Sequence, residues 1–253
     1  MEREEILKQM EEQSREDEFR VPPVILYPIL RLNGQTNKFY LIEFDKEGNK
    51  SVAEVQRPLK GVILTSRRKL FSFTREELLF SNEYLGTKEE ITLFRQNRKT
   101  KKVQRIDKGL EDPIREKYPN LKVQFVLYVL FRNKLVKLPV KGASLSHLFD
   151  FYREFSSGEH VFEYNTIFDS QEEESELGKY FALTFTKGEK LQLEDLKIAA
   201  EELNKLYQDE MLRQKYFKSL ETVQETEEEV SETPTETPKE EDLEKIPIVE
   251  ENE

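Results

Sequence analysis

Leu121-Lys122-Val123-Gln124-Phe125-Val126-Leu127-Tyr128-Val129-Leu130-Phe131 (LKVQFVLYVLF) is β-branched and aromatic on both of its alternating faces. A half-exposed strand would alternate apolar with polar residues, so this pattern predicts a strand covered on both sides. Arg132-Asn133-Lys134 supplies a turn, and Leu135 to Val140 returns. The hairpin is expected at the centre of a sheet.

Working outward toward the N-terminus, Glu111 to Tyr118 reads as a helical turn bounded by Pro113 and Pro119. Short strands are predicted at Ile91 to Arg95, Lys69 to Thr74 and Gly61 to Thr65, and Lys38 to Phe44 and Ser51 to Gln56 flank a hairpin loop. Val24 to Tyr27 and Ile29 to Leu32 are interrupted by Pro28, which argues for an edge strand or a bulge, and Asn33-Gly34 is a turn. Toward the C-terminus, Ser144 to Phe155 opens on a possible serine cap and sets Leu145, Leu148, Phe149, Tyr152 and Phe155 on one helical stripe. Val161 to Phe168 and Lys179 to Thr186 form a second hairpin around an acidic loop, Asp169 to Glu174. Glu194 to Phe217 is amphipathic, with Leu196, Ala199, Leu203, Leu206 and Met211 at helical spacing.

The expected fold is mainly β (α+β): an OB-like barrel or compact antiparallel sheet with flanking helices, a long C-terminal helix and a disordered acidic tail. Its divisions are a polar arm over 1–20, a β-rich nucleic-acid-binding domain over 21–190, an amphipathic helix over 191–220, and the tail over 221–253. Thr, Pro and Glu dominate the tail, which has too few apolar residues to offset the entropy of ordering.

Charge is distributed unevenly. The tail carries 14 acids against Lys239 and Lys245, a net −12, while the whole chain is −11. Arg31 to Lys141 holds 25 Lys and Arg against 13 Asp and Glu, a net +12. The two segments are equal and opposite, so the tail is expected to fold back on the basic block at low ionic strength and leave it when salt or a polyanion arrives. The arm, MEREEILKQMEEQSREDEFR, lacks the positive and apolar regions of a signal peptide, there is no cysteine, and no apolar stretch approaches the ~20 residues of a membrane span. A cytoplasmic, membrane-free protein is expected, with self-association through the arm an open option.

Chemistry of the enzymatic kind has little support. His147 sits among apolar residues and His160 beside a turn, and the 9 glycines form no phosphate-cradling loop. No catalytic residue, metal or cofactor is therefore expected. Glu43, Asp45 and Glu54 around the first hairpin leave a metal-dependent nuclease as a distant alternative. A second alternative is a non-enzymatic interaction or structural protein that binds no nucleic acid.

The basic run Arg95-Gln96-Asn97-Arg98-Lys99-Thr100-Lys101-Lys102-Val103-Gln104-Arg105-Ile106-Asp107-Lys108 holds seven positive charges and one negative, and reads as a loop. Each cation that neutralises a phosphate releases a counterion, giving sequence-independent, salt-sensitive affinity for nucleic acid. Arg67-Arg68-Lys69 adds a second cluster. Aromatic residues lie beside both: Phe71 and Phe73 share one face of a strand, opposite to Leu70 and Ser72, Phe80 and Tyr84 follow, and Phe94 precedes Arg95. Unpaired bases stack on such rings, whereas a duplex hides its base faces.

This β domain with basic loops, aromatics and an acidic C-terminus resembles the replicative single-stranded DNA-binding proteins of bacteriophages and bacteria. The resemblance is most specific in Glu240-Glu241-Asp242-Leu243-Glu244-Lys245-Ile246-Pro247-Ile248, which is similar to the acidic stretch and terminal Ile-Pro-Phe of bacterial members. Ile248 stands where the aromatic would be, and Val249 to Glu253 follow it. The resemblance implies an OB-type groove that tracks a single DNA strand, a tail that competes for it, and docking of replication or recombination proteins on Asp242, Ile246, Pro247 and Ile248.

Overall fold

The computed structural model describes residues 27–45, 49–100, 102–176 and 178–209. The arm over 1–20, Val24 to Leu26, Lys101, residues 210–220 of the expected helix, and the tail with Asp242, Ile246, Pro247 and Ile248 lie outside them. Pro23–Gln208 is one compact unit.

Eleven strands dominate it: β1 (Ile29–Asn33), β2 (Lys38–Phe44), β3 (Lys50–Val55), β4 (Leu59–Phe73), β5 (Glu77–Ser81), β6 (Ile91–Asn97), β7 (Val103–Gly109), β8 (Lys122–Phe131), β9 (Lys134–Val140), β10 (Tyr164–Ser175) and β11 (Gly178–Lys190). Three helices accompany them: α1 (Glu111–Lys117), α2 (Ala143–Arg153) and α3 (193–209). The main sheet runs β3-β2-β1-β9-β8-β4-β5-β6-β7, and β10, paired with β11, joins the start of β4. The protein is mainly β, but the path is open rather than closed into a barrel. It is also mixed rather than purely antiparallel, because β1 meets β9 in parallel at Ile29 and Lys137.

The β8–β9 hairpin is central, as its composition requires. Arg132 (φ 51°) and Asn133 (φ 58°) take the left-handed conformation that a two-residue hairpin demands. Val126 to Phe131 are all buried because the sheet is covered on both sides there. On one face Leu127, Val129, Val136 and Leu138 pack with Leu148 and Phe151 of α2 and with Phe168, Leu183 and Phe185 of β10–β11. On the other, Val126, Tyr128 and Leu130 pack against Ala199 and Leu206 of α3. A third cluster joins Leu70, Ile91 and Leu93 to Ile114 of α1.

Several expectations are corrected. The two predicted strands around Arg67-Arg68 are one 15-residue strand, β4, since pairing with Val126 and Phe125 carries the backbone straight through the charges. β5 went unpredicted. The basic run is a β6–β7 hairpin rather than a loop, with Gln96 opposite Val103. Asp169 to Glu174 is not a loop either; it is strand, facing Thr184 to Lys179 residue by residue. β1 lies inside the sheet, between β2 and β9, and Pro28 just before it accepts a hydrogen bond from the Lys137 amide (2.8 Å). Gly142, not Ser144, occupies the N-cap of α2, and the Ser144 hydroxyl instead accepts from the Leu183 amide (2.8 Å). Phe151 is the buried aromatic of that helix, while Phe149 is exposed.

Candidate nucleic-acid interface

Away from the contacts with Ala199 and Leu206, the face of the sheet formed by β4, β5 and β6 joins none of the hydrophobic clusters of the described residues. Residues directly opposite one another on paired strands share a face. Register therefore places Lys122, Phe71, Phe80, Phe94 and Arg105 in one row across five strands, β8-β4-β5-β6-β7. Period two along β4 adds Lys69 and Phe73 to the same face. Phe80 and Phe94 stack at 5.5 Å between centroids, 26° from parallel. Phe73 is 62% exposed, with the Arg98 guanidinium 4.2 Å from its ring centroid. Lys69 Nζ lies 5.1 Å from the Phe80 ring and Lys141 Nζ 5.4 Å from that of Phe71.

The face is electropositive. Burial pushes the Lys141 ammonium below the ordinary lysine value, and the positive charges of Arg31 and Lys122 push it the same way. Arg98, Arg105, Lys122 and Lys141 form no ion pair among the described residues. Burial likewise lowers Lys69, with Glu83 pulling it back up and Lys137 pushing it further down. Glu83 accepts hydrogen bonds from Lys137 Nζ (2.6 Å) and the Tyr128 hydroxyl (2.5 Å). Burial acts to raise the Glu83 carboxyl, but Lys137, Tyr128 and Lys69 together hold it below the usual range. The unpaired cations nearer the rings are thus open to an anion from solution.

The predicted site residues divide. Lys69, Phe71, Phe73, Phe94 and Arg105 share this face, Arg98 reaches it through Phe73, and Lys99 and Lys102 are exposed at the β6–β7 turn. Four others are not available on it. Arg67 is 3% exposed and donates from Nη1 to the Thr65 hydroxyl (2.8 Å) and the Ser66 carbonyl (3.0 Å). Arg68 is committed to buried Glu111 (2.7 Å), and Tyr84 is buried beside Leu70 and Ile91. Arg95 pairs across strands with Leu79 on the other face and bridges to Glu77 (3.0 Å). Lys122 and Lys141 were missed, because only the strand order brings them beside Phe71, and Arg31 was missed because only that order brings it near Lys141.

The carboxylates considered for a nuclease are held apart. Glu43 bridges to Lys134 (2.8 Å), Glu54 to Lys38 (2.8 Å), and Asp45 accepts from the Asn49 amide (2.7 Å). Among the described residues no group of three or more His, Asp or Glu could hold a metal ion. His147 Nε2 lies 3.0 Å from Glu173 Oε1, and His160 stacks on Phe162 with centroids 4.9 Å apart. No helix among the described residues is long and apolar enough to cross a membrane. The chain matches no family model, no curated protein and no solved structure.

Proposed function

We propose that the protein binds single-stranded DNA without sequence preference through the open face of β4, β5 and β6, and acts in DNA replication or recombination. The observation that carries this reading is the row Phe71-Phe80-Phe94, closed at its ends by Lys122 and Arg105. Aromatic rings recognise any base by its π-face, and flanking cations recognise any phosphate, so the combination selects for an unpaired strand and against none of the four bases. The acidic tail fits the same scheme as a competitor for the basic face and as a docking segment for other replication or recombination proteins, as in the family that the chain resembles. No catalytic step is assigned to the protein.

The test is a fluorescence titration of the full chain with a labelled single strand and the matching duplex at two salt concentrations. The single strand binds more tightly, and its affinity falls as salt rises. Phe80→Ala weakens single-strand binding roughly five- to 150-fold, the equivalent of ~1–3 kcal/mol for one lost stack. Equal affinity for duplex and single strand, or an unchanged Phe80→Ala variant, overturns the stacking role of this face. Failure to bind either nucleic acid leaves the interaction-protein alternative.

A further inference from the structure

β3 ends the main sheet. It pairs with β2 alone, and from Lys50 to Glu54 its side chains are exposed on both faces, Val52 to 54%. A free edge presents a row of unpaired backbone donors and acceptors, which proteins usually blunt with a bulge, a proline or a covering element. The opposite terminal strand, β7, is irregular in its pairing between Leu93 and Phe94 of β6. Among the described residues β3 has neither bulge nor proline, its register with β2 being unbroken from Val55 to Lys50, and its only edge charges are Lys50 and Glu54.

Its sequence is complementary to itself in the antiparallel sense. Turning a second β3 about a two-fold axis through Val52 sets Val52 against Val52, Ser51 against Ala53, and Lys50 against Glu54 at both ends. An apolar pair at the centre and an opposite-charge pair on each side are the cross-strand contacts that stabilise a sheet. Glu54 already bridges to Lys38, at 2.8 Å and in an exposed position, so the carboxylate accepts the second cation without being stripped of water.

We propose that β3 is the contact edge of a homodimer, formed by antiparallel pairing with the β3 of a second copy of this chain. The interface is isologous, closes on itself and leaves no sticky end. Lys50, Val52 and Glu54 stand opposite Phe44, Ile42 and Tyr40, and Tyr40 stands opposite Arg31. Val52 therefore lies on the face that carries Arg31, and the dyad sets both copies of that face on one side of a continuous sheet. Where the single-strand reading also holds, one strand can pass from the first basic face to the second, and binding is cooperative.

Sedimentation of the full chain tests the edge directly. The wild-type protein is a dimer, and Lys50→Glu or Glu54→Lys alone raises the dimer dissociation constant roughly tenfold or more, because each swap turns two attractive pairs into two repulsive ones. The double variant K50E/E54K restores the dimer, although it cannot restore the contact with Lys38. A monomeric wild type at tens of micromolar, a dimer indifferent to the single swaps, or a double variant no better than either single one overturns the proposal. Phe80→Ala leaves the dimer intact, so loss of nucleic-acid binding and loss of dimerisation are read separately.

Discussion

Arg67, Arg68 and Lys69 are consecutive cations with three different fates. The first is buried among hydroxyl and carbonyl acceptors beneath α3, the second is locked to Glu111, and the third stands over the Phe80 ring. Glu111 is 1% exposed, so its pairing is structural. Removing Glu111 leaves the Arg68 guanidinium, 24% exposed, without its carboxylate, and Glu111→Ala is expected to destabilise the protein by about 1–3 kcal/mol, measured as a lowered urea midpoint. Glu159 offers a pH signature. The Tyr164 hydroxyl first, then the Ser156 amide and Lys187, hold its carboxyl down at about 2 against an ordinary 4.5. A depressed folded-state pKa means that the contribution is complete above about 4.5 and is lost as pH falls toward 2. The stability gap between wild type and Glu159→Gln should therefore shrink over that window in acid titrations followed by circular dichroism. A gap that stays constant down to pH 2 contradicts the assignment.

Among the elements, those built from local pattern were legible and those built by distant pairing were not. β2 has the predicted bounds, and β8–β9 is where a run that is apolar on both faces must be. β4 defeated the reading because Arg67 and Arg68 interrupt its hydrophobic pattern, and the partners that bury them, α1 and α3, lie far along the chain. The acidic half of β10, Asp169 to Glu174, failed for a similar reason: its pattern is that of a loop, and pairing with β11 keeps it extended. In the site, Phe71, Phe73 and Phe94 could be chosen from aromatic–basic adjacency, whereas Lys122 and Lys141 join them only because β8 lies beside β4. That pairing is also close at Gly61. A Cβ at Gly61 would fall 2.8 Å from the Leu130 carbonyl oxygen and 2.9 Å from Val129 Cγ1, and a backbone oxygen held in a ladder cannot yield. Gly61→Ala is expected to cost about 1–3 kcal/mol in chemical denaturation. Gly86→Ala, with nothing within 4 Å of its Cβ position, serves as the neutral control.

At the scale of the whole molecule the governing quantity is charge separation: +12 between Arg31 and Lys141, −12 in residues 221–253. Part of the basic block is neutralised internally, as at Lys38–Glu54, Arg68–Glu111 and Lys134–Glu43. Four of the cations that form no ion pair among the described residues, Arg98, Arg105, Lys122 and Lys141, lie around the aromatic row, where a polyanion would meet them together. Under the proposed function, tail and nucleic acid compete for one surface. Deleting residues 221–253 is expected to tighten single-strand binding at low salt, and the two titration curves should converge near 0.15 M, where screening acts over about 8 Å. The competition also fixes what the cations should do on their own account. Each lost phosphate contact lowers the slope of log affinity against log salt by about 0.7 on a single strand, so Lys122→Ala with Lys141→Ala should reduce it by about 1.4. Because these two residues would also be the tail's seat, tail deletion should tighten binding less in the double variant than in the wild-type background. An equal gain in both backgrounds would place the tail's contact elsewhere on the molecule.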